Sequence, residues 1–395
     1  MNGQTMQRID HAEQTLLHTY NRYPVILDRG EGMYLYDTEG KKYLDFFAGI
    51  AVFALGHHYP GYDDALKMQI DKIIHTSNYY YNDPAITASS MLLEESGLSR
   101  VFFTNSGTEA VEGALKCARK YYYQKTGKTD AQIIAFEHSF HGRTFGALSV
   151  TGTKAYRDPF EPLIGGVSFA VLNDIDSVKA LLNERTCAVI VEPVQGEGGV
   201  IVAEDAFLRE LRALCDEKDV LLIFDEIQCG MGRTGRMFAF QHAGVLPDVL
   251  TLAKALTCGV PGGAFLVSEK AAPVLVPGDH GTTFGGNPLA TRAMATVFDL
   301  FRRDHILQHV EKVAPYLEKQ LDALVARHEQ ILARRGRGLM QGLVFSGPVA
   351  DITGRALEKG LILINAGPDV IRFVPPLIVT NEQVDEMVSI LEASL

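Results

Sequence analysis

The 395-residue chain predicts an α/β fold: a large domain with a mostly parallel sheet covered by helices, followed by a smaller α+β domain. Three observations carry this. Between residues 101 and 267 short apolar runs (VFFTN, QIIAFE, VSFAVL, CAVIVEP, VLLIFDE, DVLTLAK, GGAFLV) alternate with amphipathic stretches such as SVKALLNE (177–184) and AFLRELRALCDEKD (206–219). Strands that alternate with helices pair in parallel and are buried on both faces. Past residue 288 the pattern changes to long helical periodicity (291–331), then GLMQGLVFSG, a helix in DITGRALEKG, LILINAG, VIRFVPPL and a last helix in NEQVDEMVSILEASL. Near the N-terminus, GEGMYLYDTEGKKYLDFFAGIAV predicts a β-meander with a turn at DTEG. The expected division is an N-terminal segment (1–50) packing with the small domain, a large domain (51–287) and the small domain (288–395).

Composition narrows the function. The 47% hydrophobic and 22% charged shares are those of a globular chain and exclude disorder. The net charge is −11, from 37 basic and 48 acidic residues, which disfavours nucleic acid as a partner. No apolar run approaches the roughly 18 residues of a membrane span. The start, MNGQTMQRIDHAEQTLLH, lacks a basic region followed by an apolar stretch, so a cytoplasmic protein is expected. The five cysteines are scattered, none at CxxC spacing, and read as reduced thiols rather than a zinc or redox site.

Three local motifs carry chemistry. NSGTEA (105–110) follows a strand and opens a helix. Ser106 and Glu109 fit a capping box, and Gly107 permits close approach to the free N–H groups, a ready phosphate cradle. An ordinary capped helix has the same pattern. Asp225 ends the apolar strand of VLLIFDEIQ, where a carboxylate needs a cation or donor. Lys254 ends DVLTLAK on the same sheet edge, and burial lowers a lysine pKa toward that of an imine-forming nucleophile. Singly, the last two also suit a salt bridge and a snorkelling surface lysine. Together the three suit pyridoxal 5'-phosphate: an imine lysine, an anion opposite the ring nitrogen, and a phosphate anchor.

At these residues the chain resembles the class III (ω-amino) aminotransferases of fold type I, through NSGTEAVEGALK, SFHGRTFGALSVTG, EPVQGEGGV, FDEIQCGMGRTG, LTLAKAL, HGTTFGGNPLA and RFVPPL in order. The resemblance covers almost the whole chain. It implies that Lys254 joins the cofactor and carries the proton, and that Asp225 faces the pyridinium nitrogen. It implies that Gln228 donates to the ring 3-hydroxyl oxygen, that Phe140 stacks on the ring, and that Glu192 lines it on the Gln228 side. Ser106, Gly107 and Thr108 would hold the phosphate, with Thr283 reaching it from the partner subunit of a homodimer. Arg143 would take a distal carboxylate and Arg372 the α-carboxylate of glutamate, with Glu197 pairing with Arg372 in the other half-reaction. A bidentate, permanently charged fork suits both arginine roles.

The resemblance further implies N²-acetylornithine as donor and 2-oxoglutarate as acceptor, in arginine biosynthesis. Ile50, in DFFAGIAVFALGHHYP (45–60), stands where free-ornithine enzymes carry a tyrosine, and an apolar residue suits an acylated nitrogen. Phe53, the Ala255–Cys258 run and Gly263 depart from the pattern. Succinylornithine, ornithine, 4-aminobutyrate and a lysine-pathway amine are alternative substrates. GMGRTG (230–235) matches a dinucleotide loop, which would imply a nicotinamide-dependent oxidoreductase, but DEIQC separates it from its strand. A catalytically silent relative would have no need of Lys254, Asp225, Arg143 and Arg372. His138 and His141, and His57 and His58, lack further ligands in register, so no metal is expected.

Overall fold

The computed structural model describes residues 2–395. At its centre is a seven-stranded sheet in the order Arg100–Thr104, Gly263–Val267, Val249–Leu252, Leu221–Asp225, Thr186–Val191, Gln132–Phe136 and Val167–Ala170. Gly263–Val267 runs antiparallel to both neighbours, and the other pairs are parallel. Every residue of the strands 186–191, 221–225 and 249–252 is buried. Alternate side chains enter opposite cores: Leu222, Phe224, Leu250 and Leu252 one, and Leu221, Ile223 and Val249 the other. With both faces covered, polar alternation is absent, and the strands read as continuous apolar runs. Each such Leu or Phe contributes roughly 1.5–3 kcal/mol by burial.

The helix Gly107–Thr126 buries Ala110, Val111, Ala114, Cys117 and Ala118 at helical spacing and ends on Gly127, whose φ is +69°. The long amphipathic region divides into Pro288–Arg303 and Ile306–Arg327, separated at His305 by a left-handed residue. The first of these helices packs on Tyr62–Ile70 and Asp83–Ser96. A second sheet, wholly antiparallel, has the order Ile331–Arg337, Met340–Phe345, Val370–Phe373, Ile364–Asn365.

The N-terminal strands Leu27–Glu31, Tyr34–Asp37 and Lys42–Asp45 are antiparallel, and the last also pairs in parallel with Leu361–Ile362. At DTEG, Asp37 Oδ1 accepts from the N–H groups of Glu39 and Lys41, at 2.9 Å each. The meander stops at Asp45, short of the expected FFAGIAV. Asp45 Oδ1 accepts from Phe47 N (2.9 Å) and Ala48 N (2.7 Å), and Ala48, Gly49, Ile50 and Ala51 all have positive φ. The side-chain cap replaces the ladder bonds that a continuing strand would need. The helix Gly3–Thr15 lies outside the expected elements: Thr5 is its one buried residue and only Ile9 and Ala12 are half-buried with it, so its apolar stripe is narrow.

GMGRTG is a run of turns in which Gly232 and Gly235 are left-handed, and the next helix is Phe240–Ala243. Arg233 is buried and donates through Nη1 to the carbonyls of Leu339 (3.2 Å) and Pro375. Among the described residues no helix is long and apolar enough to cross a membrane.

A Cβ on Gly113 would lie 2.2 Å from Phe265 Cε1. In an open helix Gly→Ala gains about 1 kcal/mol. Here overpacking of about 1–3 kcal/mol prevails. Gly113→Ala is therefore expected to lower the urea midpoint, with Phe265→Leu recovering part of the loss. A midpoint raised by Gly113→Ala alone is the contrary result.

Candidate active site

The carboxyl ends of the parallel strands open onto a cavity of about 430 Å³. Ser106, Gly107 and Thr108 follow strand 100–104, Phe140 and Arg143 follow 132–136, Glu192 follows 186–191, Asp225 ends 221–225, and Lys254 follows 249–252. All of them, with Gln228, line the cavity. Ile50, Glu197, Arg372 and Thr283 lie off its wall.

At one end is the start of helix 107–126. Ser106 Oγ accepts from Glu109 N at 3.4 Å, but Glu109 Oε2 reaches Asn105 N (2.9 Å) instead of Ser106 N. The expected capping box is thus half formed. Asn105 Nδ2 also donates to Glu109 Oε2 at 2.9 Å, which draws the carboxylate one residue back. The N–H groups at 106–108 therefore stay open to an anion. The hydroxyls of Thr108 and Thr144 are 2.8 Å apart.

Asp225 is buried. Its Oδ1 accepts from Ile227 N at 3.0 Å, and its Oδ2 lies 2.7 Å from Nδ1 of the fully buried His141. Burial opposes a charge on His141, but the hydrogen bond and charge of Asp225 prevail and raise its pKa. In the sequence His141 reads as half of an HxxH pair, and its place in the SFHGR motif is the signal for this role. Glu192 accepts from Phe140 N (2.9 Å) and from Gly196 N (3.3 Å), so it braces the Phe140 backbone and also Gly196, which packs against Gln228. Burial, with Asp225 nearby, pushes its pKa to about 7.

Lys254 takes a left-handed backbone (φ +48°), a conformation that a lysine adopts only under constraint. Burial lowers its amine to about 8. The positive charge of Arg372 adds to this, while Glu197, Asp225 and Glu192 oppose it.

Behind the wall, fully buried Arg372 donates through Nη1 to Glu197 Oε1 and Gln228 Oε1, at 2.8 Å each. Its Nε and Nη2 have no hydrogen-bond partner among the described residues. Gln228 Nε2 is 3.4 Å from Glu197 Oε1, so the amide expected at the ring hydroxyl is engaged with this pair. A Cβ on Gly196 would meet Gln228 Oε1 at 2.4 Å, which accounts for a glycine there. Burial opposes ionisation of Glu197, yet Arg372 holds its pKa below the usual range.

Arg143 is exposed at the cavity edge and has no ion pair among the described residues. Ile50 is half-buried. The left-handed run 48–51 turns it off the wall, and Val52 lines the cavity instead. Thr283 is exposed on a loop anchored through Asn78, whose Nδ2 donates to Gly285 O at 2.8 Å. Of the departures, Thr257 in the Ala255–Cys258 run is matched to Gly262: a Cβ on Gly262 would lie 2.6 Å from Thr257 Cγ2.

An open helix start, a carboxylate braced by a buried imidazole, a lysine of lowered pKa and unpaired guanidinium donors together define a pyridoxal-phosphate enzyme that handles carboxylates. Residues 16–395 match the family described as aminotransferase class-III, and the chain belongs to that family. It is a PLP-dependent aminotransferase. It is 47% identical over 390 residues to the acetylornithine aminotransferase of Methanocaldococcus jannaschii, covering 97% of this chain and 96% of that one. It is 46% identical over 384 residues to the succinylornithine transaminase of Yersinia pseudotuberculosis, covering 95% and 93%. The structure matches an ornithine aminotransferase from Toxoplasma gondii, solved with partial occupancy of PLP at the active site, with a TM-score of 0.94 and 32% identity, covering 99% and 93%.

Competitive acetylation of the cofactor-free protein is expected to label Lys254 with a midpoint near pH 8, because only the neutral amine reacts and its pKa is lowered. Labelling should rise through that pH and level off above it. A midpoint near that of a free lysine, about 10.4, is the contrary result.

Proposed function

We propose that this enzyme moves the δ-amino group of N²-acetylornithine to 2-oxoglutarate, giving N-acetylglutamate 5-semialdehyde and glutamate, as a step of arginine biosynthesis in the cytoplasm. The observation that carries it is the ion pair of buried Arg372 with half-buried Glu197. Glutamate reacts at its α-amine, so its α-carboxylate lies beside the reacting carbon. A δ-amino donor keeps its carboxylate several bonds away. One fixed arginine cannot serve both, and an unpaired buried arginine is costly when the δ-amine enters. Glu197 neutralises Arg372 in that half-reaction and yields to the glutamate α-carboxylate in the other, while Arg143 takes the distal carboxylate.

When bound, pyridoxal phosphate supplies an electron sink conjugated to the reacting carbon. Ser106, Gly107 and Thr108 would hold its phosphate, Phe140 would line its ring, and Asp225, oriented by His141, would meet the ring nitrogen. Lys254 Nζ takes the proton from the reacting carbon and returns it one position along. Gln228, released when Arg372 turns to substrate, would be free to donate to the ring oxygen. We assign the second subunit of a homodimer the role of completing the phosphate site through Thr283, and we divide the chain as 1–50, 51–287 and 288–395. Apolar Val52, in the same segment as Ile50, suits an acylated nitrogen. Succinylornithine is the second reading, favoured by the Yersinia relative, which is almost as similar.

Comparison of kcat/KM for acetylornithine, succinylornithine, ornithine and 4-aminobutyrate with 2-oxoglutarate tests the donor. Acetylornithine is expected to lead, and a preference for free ornithine overturns the assignment. Glu197→Gln is expected to lower kcat/KM for the δ-amino donor about tenfold, roughly 1.4 kcal/mol, while sparing glutamate. Equal losses on both donors count against the switch.

A further inference from the structure

Arg143 poses a physical problem. It is exposed, with no ion pair among the described residues, yet it lines the cavity where a carboxylate must be caught in one orientation. A long side chain in water samples many rotamers and loses that freedom on binding. Its guanidinium carbon lies 3.9 Å from the ring centroid of Tyr156 and 5.3 Å from that of Phe140. Tyr156 stands in the short turn Lys154–Arg157, half-buried, with its ring edge-on to Phe140 at 6.1 Å. Its hydroxyl makes no hydrogen bond among the described residues, so the ring is the part in use. Phe140 is in turn fixed through its backbone N–H by Glu192. A cation held over an aromatic face keeps its N–H edges free for a carboxylate.

We propose that Tyr156, which does not line the cavity, is a positioning residue for substrate carboxylates: its ring holds the Arg143 guanidinium at the cavity edge. The proposal rests on the reading of Arg143 as the distal-carboxylate residue.

The test compares Tyr156→Leu, Tyr156→Met, Tyr156→Phe and Arg143→Ala on the cofactor-loaded enzyme, with 2-oxoglutarate and with 2-oxobutyrate, which lacks the distal carboxylate. Leu and Met remove the π face. They are expected to raise KM for 2-oxoglutarate about 3- to 10-fold, leaving kcat and the KM for 2-oxobutyrate within about twofold. Phe keeps the face and should match the parent. In an Arg143→Ala background, Tyr156→Leu should add nothing. A similar KM rise for both acceptors, a fall in kcat alone, or a Phe variant as impaired as Leu overturns the role of Tyr156. If Arg143→Ala leaves the KM for 2-oxoglutarate unchanged, the carboxylate reading itself falls. If Arg143→Ala raises it and Tyr156→Leu does not, the role of Tyr156 alone falls.

Discussion

Strands buried on both faces have nowhere to put a charge except their ends, and the rest of the molecule follows from this. In the strands 186–191, 221–225 and 249–252 every side chain is packed away, so polar groups gather where the chain leaves the sheet. Glu192, Asp225 and Lys254 all stand at that edge, with the open start of helix 107–126 beside them. Crowding them there sets their electrostatics. Glu192 rises toward neutrality under burial, and Lys254 falls toward a reactive amine.

The central sheet was legible because continuous apolar runs between amphipathic helices have one common solution. Asp225 and Lys254 were legible for the same reason, as charges that interrupt such runs at their ends. Other features depend on contacts between residues distant in sequence. His141 braces Asp225 across 84 positions, and Arg372 meets Glu197 across 175. Nothing local at Tyr156 points to Arg143. The offset of Glu109 to Asn105 is a choice between two nearly equivalent N–H groups, which a capping pattern does not resolve. The left-handed run at 48–51 defeats strand propensity because Asp45 caps it, and that turn moves Ile50 off the wall.

The acidic molecule encloses a site built for anions. Net charge sums the whole chain, in which 48 carboxylates outnumber 37 bases, and says nothing of where each one stands. Within the site, helix N–H groups, Arg143 and the free edge of Arg372 present positive potential at separated points. On the proposed function, their spacing would let two carboxylates of one substrate, or the single carboxylate of another, find different partners.

The segment that imitates a dinucleotide loop has a mechanical consequence. Arg233 grips Leu339, which leads into strand 340–345, and Pro375, which follows strand 370–373. These two strands form the ribbon that carries Arg372. The clamp answers a guanidinium with carbonyls alone, so it does not loosen as carboxylates come and go nearby. On the proposed function, Glu197 would exchange places with a substrate while the ribbon under Arg372 stays pinned, much as a vice holds its anvil still while the workpiece changes.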